Sequence, residues 1–457
     1  MEVKGWVPER YAERGGDLER QHQRLFKRLL SNRRMPEYGW SEFTVERFLA
    51  DLAALDANNA PETAAIGDRE GRVFSSLVRR RHFHLAHGIG RSGDLEATQP
   101  KATGSSVLHT IAKALVKDLF KRMGIKSIAE VIVLPVATGM AISLSLLAMR
   151  ARKPIASKIL WTRADQKTCL KALQSAAPDL EIIVADNVIR GDEVCTDLER
   201  IRALLEEAGS QILCVCSVTS CFAPRAPDDI VGIAKLCQKA DVFHLVNNAF
   251  GLQSYEICSL IQRAVGNRGR IDCIVQSTDK NFMVPVGGSV VAGFEKEFIR
   301  SIAQTYPGRA SSTPSLDVVI TLLSMGWSTW SLLLEERQSL YQHFKDEMNR
   351  LSLKFGERLL ETPSNPLSMA MSLTKVPQDK ISVIGSRLYT QSCSGCRAVD
   401  LAKECVIGGI PFARYGSHHS DYTIPYLNFS ATIGITRRDI ELFMTRLDRI
   451  LQGLALG

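Results

Sequence analysis

IDCIVQSTDKNFMVPVGGSVVAGF, residues 271–294, holds two apolar runs on either side of a polar turn. The first run has the length and β-branched content of a buried strand. It ends in Ser277-Thr278-Asp279-Lys280, and a short loop leads to Gly287-Gly288 and a second strand-like run, SVVAGF. A lysine just past a strand end, ahead of a glycine pair, suits an aldehyde cofactor held through its amine. Burial at a strand terminus keeps such an amine partly desolvated. The same segment also reads as a β-hairpin with a turn lysine.

Upstream, strand-like runs alternate with helical ones. AEVIVLPVA, KILWT, EIIVA, QILCVCSV, VFHLVNN and DCIVQS are short and rich in Val and Ile. Helical patterns at residues 105–123, 139–151, 229–239 and 254–264 lie between them. This alternation predicts an α/β fold with a mostly parallel sheet covered on both faces. Three segments fall at carboxyl ends of strands, where ligands bind in open α/β sheets. Pro135-Val136-Ala137-Thr138-Gly139-Met140 turns a strand into a helix and offers backbone N–H groups to a phosphate. Ser217-Val218-Thr219-Ser220 ends another strand, and so does Asn247-Asn248-Ala249.

The flanks differ. Residues 1–65 are polar and helical: LERQHQRLFKRLL sets Leu18, Leu25, Leu29 and Leu30 near one face, a turn follows at 35–39, and Phe43, Val45, Phe48, Leu49 and Leu52 keep helical spacing. Beyond about residue 330 a long amphipathic stretch leads to SMAMSLTKV, SRLYTQSCS and PYLNFSATIG, all strand-like. Thr436 and Asp439 form a capping box for a last helix lined by Ile440, Phe443, Met444, Leu447, Ile450 and Leu451. The expected divisions are therefore 1–65, 66–330 and 331–457.

The 457 residues carry a net charge of +8, with 45% hydrophobic and 23% charged residues, the balance of a globular chain. No apolar run approaches the roughly 20 residues of a membrane helix, and the charged N-terminus lacks the core of a secretory signal. The 11 cysteines are an odd number, many within apolar segments, which suits buried thiols in a reducing compartment. Cys393 and Cys396 form one CxxC without a second pair to complete a zinc site, so no metal is expected.

The order of these segments resembles the fold-type I pyridoxal-phosphate (PLP) enzymes. Closer still, HGIGRSGDLEATQPKATGSS, QSTDKNFMVPVGG and YPGRASSTPSLD resemble the O-phosphoseryl-tRNA(Sec) selenium transferase family, over residues 35–450. The resemblance implies an aminotransferase-like fold with an N-terminal helical extension and a smaller C-terminal α+β domain. It implies a cytoplasmic homotetramer, with no membrane. The reaction it implies is conversion of phosphoseryl-tRNA(Sec) to selenocysteinyl-tRNA(Sec), with selenophosphate as donor.

The resemblance also assigns roles. Lys280 holds PLP and acts as general base. Ala137, Thr138, Gly139, Ser217 and Ser277 surround the cofactor, and Gln166 takes the place of the usual stacking ring. Asn247, beside Asn248, stands where related enzymes carry the aspartate that pairs with the ring nitrogen. An amide makes the cofactor a weaker electron sink, which suits loss of a good leaving group from Cβ. Arg91, Ser92, Gln99 and Lys167 join Arg309 around the substrate, Arg91 and Arg309 stabilising the departing phosphate without a metal. Arg69 reaches the site across a subunit interface. Asp68 replaces a glutamate that repels a free substrate carboxylate. Arg397 reads the tRNA discriminator base. Further tRNA contacts fall at Asn32 and Arg33, and at Asn267 and Arg268. Two other classes remain open from sequence: a PLP lyase or desulfurase acting on free amino acids, and a catalytically silent tRNA-binding or structural protein.

Overall fold

The computed structural model describes residues 5–64 and 66–455. The chain forms two compact units, each assembled from two stretches of sequence. One comprises Met1–Leu119 with Pro307–Trp330, and the other Phe120–Tyr306 with Ser331–Gly457.

The second unit carries the sheet. Its strands are β1 (Glu130–Leu134), β2 (Lys158–Thr162), β3 (Glu181–Ala185), β6 (Ile212–Val218), β7 (Phe243–Asn247), β8 (Cys273–Ser277) and β9 (Ser289–Gly293), in the order β1-β9-β8-β7-β6-β2-β3. A separate hairpin, β4 (Asn187–Arg190) with β5 (Glu193–Thr196), follows β3 in the chain. The strands from β3 to β8 run parallel, and β9 lies antiparallel between β1 and β8. Every residue of β6, β7, β8 and β9 is buried. That is why these strands read as continuous Val/Ile runs rather than alternating ones. The mostly parallel α/β sheet is as expected.

A buried ionic knot ties the sheet to this hairpin. Asp228 accepts hydrogen bonds from Thr162 on β2 (2.6 Å), Thr196 on β5 (2.6 Å) and the Val218 N–H (2.7 Å), and it pairs with Arg225. Both charged side chains are fully buried. The remaining Arg225 donors go to backbone carbonyls, including Ala226 O at 2.7 Å.

The C-terminal part of this unit holds a three-stranded antiparallel sheet of β10 (Ser368–Ser372), β14 (Tyr426–Ser430) and β11 (Arg397–Val399). A small ribbon of β12 (Cys405–Ile407) and β13 (Ile410–Phe412) stands apart. Met369, Met371, Leu427 and Phe429 pack with Ile440, Leu447, Ile450 and Leu451 of the last helix. The capping box at Thr436 and Asp439 forms in both directions. SRLYTQSCS is not a strand: Ile381–Thr390 is a helix that runs into it. Ile381, Ile384 and Leu388 are buried, and their spacing of three and four is the helical signal that the polar residues between them masked.

In the first unit, the rings of Phe26, Trp40 and Phe48 pack in tilted and edge-to-face pairs at 5.0–5.7 Å. Only Phe26 and Leu29 of the first helix (Glu9–Asn32) are buried, while Leu18, Leu25 and Leu30 stay exposed. Phe43 is exposed as well. Asp56, distant in sequence, caps the helix Thr103–Arg122 by accepting from the Ser105 N–H and hydroxyl at 3.0 and 2.6 Å.

The helix Thr313–Lys354 corrects the reading of apolar runs. By length and composition alone it is apolar enough to cross a membrane. Gly326 breaks it, with φ 64° and ψ 170°. The carbonyls of Pro36 and Glu37 accept from the Trp327 and Ser328 N–H groups at that break. Gly39 lies so close that a Cβ there would sit 2.0 Å from Ser324 O, so only glycine fits.

Candidate active site

A cleft of about 780 Å³ opens in the second unit where β2, β6, β7 and β8 end. Gln166 and Lys167 line it after β2, Phe222 after β6, Phe250 after β7, and Asp279 and Lys280 after β8. Arg397, Lys403, Tyr415 and His418 close it from the C-terminal segment.

The segment after β8 is not the short loop expected. Thr278–Phe282 forms a helical turn, which lifts Lys280 off the strand end. Its side chain is exposed in the single chain, not buried at the strand terminus. The turn itself is pinned. Asn281 donates to Ala249 O (2.9 Å) and Ser277 O (2.7 Å), and the Ser277 hydroxyl bonds Asp279. Gln253, buried, donates from Nε2 to Lys280 O at 2.6 Å and accepts the Ile433 N–H at Oε1 at 2.7 Å. One carboxamide thus fixes the lysine backbone against the loop that follows β14.

Three observations bear on PLP. The helix Thr138–Arg152 starts without a side-chain cap at Ala137, so its first N–H groups are available to a phosphate. A Cβ on Gly139 would meet Thr168 Cγ2 at 2.8 Å. Asn247 Oδ1, Asn248 Nδ2 and Thr278 Oγ1 are buried without a hydrogen-bond partner among the described residues. Buried polar atoms are rarely left so without a ligand or water to meet them. These residues fit a planar cofactor with an anionic arm. Ser217 does not face the cleft: its hydroxyl bonds His244 Nε2 at 2.7 Å.

Gln166 is held from behind. It is the N-cap residue of the helix Lys167–Ala176, next to buried Asp165. Asp165 accepts from Gly416 N (2.7 Å), His418 N (2.8 Å) and Arg163 Nε (3.0 Å), and its own N–H donates to His418 Nδ1 at 2.9 Å. Burial alone would raise this carboxyl, but His418 and Arg163 outweigh it and keep it below the usual carboxylate range. Burial, with Asp165 nearby, pushes the Tyr415 hydroxyl up to about 12.

Burial also pulls His418 and His244 down to about 4. An unfolded histidine titrates near 6.5. The stability these neutral imidazoles contribute is therefore complete above about pH 6.5 and lost as pH falls through about 4. The unfolding free energy from urea titration should be flat from pH 8 to 7 and fall between 6.5 and 4, by roughly 2 kcal/mol or more per imidazole. A value independent of pH across that window would rule this out.

The other expected substrate groups lie in the first unit. Gly90 and Gly93 take positive φ (74° and 84°), and Arg91 and Ser92 between them are exposed. Gln99 is buried and turned back, its Oε1 accepting the Lys101 N–H at 3.5 Å. Arg309 reaches the same loop, donating to Gly90 O (3.3 Å), His87 Nδ1 (3.2 Å) and His87 O, and pairs with Glu70 at 2.7 Å. Asp68 pairs with Lys101 at 2.8 Å, and that hydrogen bond lowers its pKa. Arg69 between these carboxylates is exposed. A cavity of about 700 Å³ is lined by Asp68, Glu70, His87 and Lys101 among others.

The expected tRNA contacts are scattered. Asn32 ends the first helix and Arg33 follows it in the left-handed region; Asn267 and Arg268 follow the helix Tyr255–Gly266. All four are exposed. Arg397 alone borders the Lys280 cleft, its guanidinium 5.6 Å from the Tyr415 ring. Gln253, Thr278, Asp165, Tyr415, Lys403 and Glu70 were not singled out from sequence. Thr278 and Asp165 adjoin residues that were, and strand-end position was the signal that could have found them.

A profile of the family "O-phosphoseryl-tRNA(Sec) selenium transferase, SepSecS" matches residues 55–452. An O-phosphoseryl-tRNA(Sec) selenium transferase of Dictyostelium discoideum is 40% identical, over 98% of this chain and 97% of its own. One from Methanopyrus kandleri is 33% identical over 99% of this chain and all of its own. The crystal structure of an archaeal O-phosphoseryl-tRNA(Sec) selenium transferase superposes with a TM-score of 0.89 at 29% identity, covering 98% of this chain and 99% of that one. Fold-type I enzymes such as a sphingosine-1-phosphate lyase of Burkholderia pseudomallei share the fold at TM-score 0.57 and 13% identity, over 98% of this chain and 91% of that one. With a profile match over most of its length and near-complete alignment to these relatives, the chain belongs to the O-phosphoseryl-tRNA(Sec) selenium transferase family.

Proposed function

We propose that this chain converts O-phosphoseryl-tRNA(Sec) to selenocysteinyl-tRNA(Sec) with PLP as cofactor and selenophosphate as donor, working as a cytoplasmic homotetramer. The observation that carries the reading is the place of Lys280. It stands on a pinned turn in a cleft at the strand ends, and Lys167, Arg397 and Lys403 add positive charge to that cleft for an RNA substrate. Exposed Leu18, Leu25, Leu30 and Phe43 on residues 1–65 support a further copy of the chain covering that segment.

Bound PLP would supply an electron sink at the substrate Cα. Lys280 would hold it, with Gln166 against the ring, Asn247 and Asn248 at the ring edge, and Ala137, Thr138, Gly139, Ser277 and a second copy's Arg69 around its phosphate. In each turnover the Lys280 amine takes the proton from the substrate Cα. Arg91, Ser92, Gln99 and Arg309 receive the phosphate as it leaves Cβ. Selenophosphate then adds its selenium to the same carbon, Lys280 returns the proton to Cα, and water cleaves the P–Se bond to release the second phosphate. Asp68 disfavours a free carboxylate, so an esterified seryl group is preferred. Arg397 meets the discriminator base, and Asn32, Arg33, Asn267 and Arg268 meet the tRNA backbone.

The test supplies purified protein and PLP with phosphoseryl-tRNA(Sec) and selenophosphate, and measures selenium bound to the tRNA-borne amino acid. Product is expected only when protein, charged tRNA and selenophosphate are all present, with free phosphoserine left intact. Turnover of free phosphoserine or cysteine without tRNA would overturn the reading in favour of an amino-acid lyase or desulfurase.

A further inference from the structure

We propose that Glu70 sets the phosphate affinity of Arg309: its carboxylate occupies the guanidinium in the free protein and must be displaced when phosphate binds. This rests on the reading of Arg309 as a phosphate group. Arginine has five N–H donors. In Arg309 three are hydrogen-bonded, Nη1 to His87 Nδ1 (3.2 Å), Nη2 to His87 O and Nε to Gly90 O (3.3 Å), and the Glu70 carboxylate forms an ion pair with Nη1 at 2.7 Å. A bidentate grip on phosphate needs two parallel donors. One contact has to give way.

The partners differ in how easily they yield. His87 is buried, and Gly88 and Gly90 hold positive φ of 78° and 74°, so the two carbonyls are fixed by the fold of their loop. The Glu70 side chain is 46% exposed, against 19% for Arg309. It is the contact that can swing to water at low cost. Its neighbour does the same thing two residues away: Asp68 holds Lys101 at 2.8 Å. Asp68, Glu70 and His87 bring three ligand-type side chains within 4.8 Å of one another. Each carboxylate already holds a cation, so the cluster reads as charge balance and not as a metal site. The segment Asp68–Glu70 thus presents two carboxylates to two cations, as an anionic substrate would. Each proposed turnover frees phosphate from phosphoserine and again from selenophosphate. A carboxylate that reclaims Arg309 helps each one leave.

The test measures binding of inorganic phosphate by calorimetry on PLP-loaded full-length protein, whose cofactor cradle is filled. Glu70→Gln should bind phosphate roughly 3- to 5-fold tighter, the worth of a partly exposed ion pair. Arg309→Ala should bind about tenfold weaker or worse. In the double variant the gain from Glu70→Gln should vanish. Weakened binding in Arg309→Ala with no gain in Glu70→Gln overturns the role of Glu70. Unchanged binding in Arg309→Ala overturns the reading of Arg309 itself.

Discussion

Lys280→Ala is expected to abolish the visible absorbance of bound PLP and to lower kcat/KM with phosphoseryl-tRNA(Sec) by at least about 10³-fold. The variant removes both the anchoring amine and the base. The loss should be chemical and not structural. The Lys280 side chain is exposed, and its turn is held by backbone contacts that alanine retains: Gln253 on the Lys280 carbonyl, and Asn281 on Ala249 and Ser277. Thermal unfolding of the apo protein should therefore match wild type. A variant that keeps the absorbance and near-full turnover would remove Lys280 from the chemistry. One that unfolds early would make the lysine a structural residue.

Asp228→Ala carries the largest expected cost in stability, about 3–5 kcal/mol. The carboxylate serves two hydroxyls and one N–H and neutralises Arg225. Truncation would leave a guanidinium with no exposed surface and no counter-charge, the arrangement that desolvation penalises most. Urea unfolding reads the effect directly. Replacing both partners, as in Arg225→Met with Asp228→Leu, should recover much of the loss, since an apolar pair leaves nothing unpaired. A single-variant cost below about 1 kcal/mol would show that water reaches the knot.

The central sheet was legible because β6, β7, β8 and β9 are buried along their whole length and the connecting helices keep their own period. Lys280 was legible because strand ends in such sheets are where ligands sit. What sequence hid depends on contacts far apart in the chain. The Arg225–Asp228 knot needs the β4–β5 hairpin brought against the ends of β2 and β6. Gln253 reads as an ordinary polar residue, yet it joins Lys280, 27 positions on, to Ile433, 180 positions on. Glu70 gains meaning only from Arg309, still more remote in the chain. The helix at Ile381–Thr390 was misread locally, where three apolar residues at helical spacing lie among polar ones that suit either structure.

The antiparallel strand β9 carries a consequence for synthesis on the ribosome. It fills the slot between β1 and β8, pairing Leu134 with Ser289 and Ser277 with Ser289 on its other edge. Until residue 293 has left the exit tunnel, β1 has no neighbour, and the edge of β8 beside Lys280 stands open. Pairing across more than 150 positions is slow, because a long loop must close before any bond rewards it. The nascent chain therefore exposes two apolar edges late into translation, which makes this stage the one most open to aggregation and to chaperone capture.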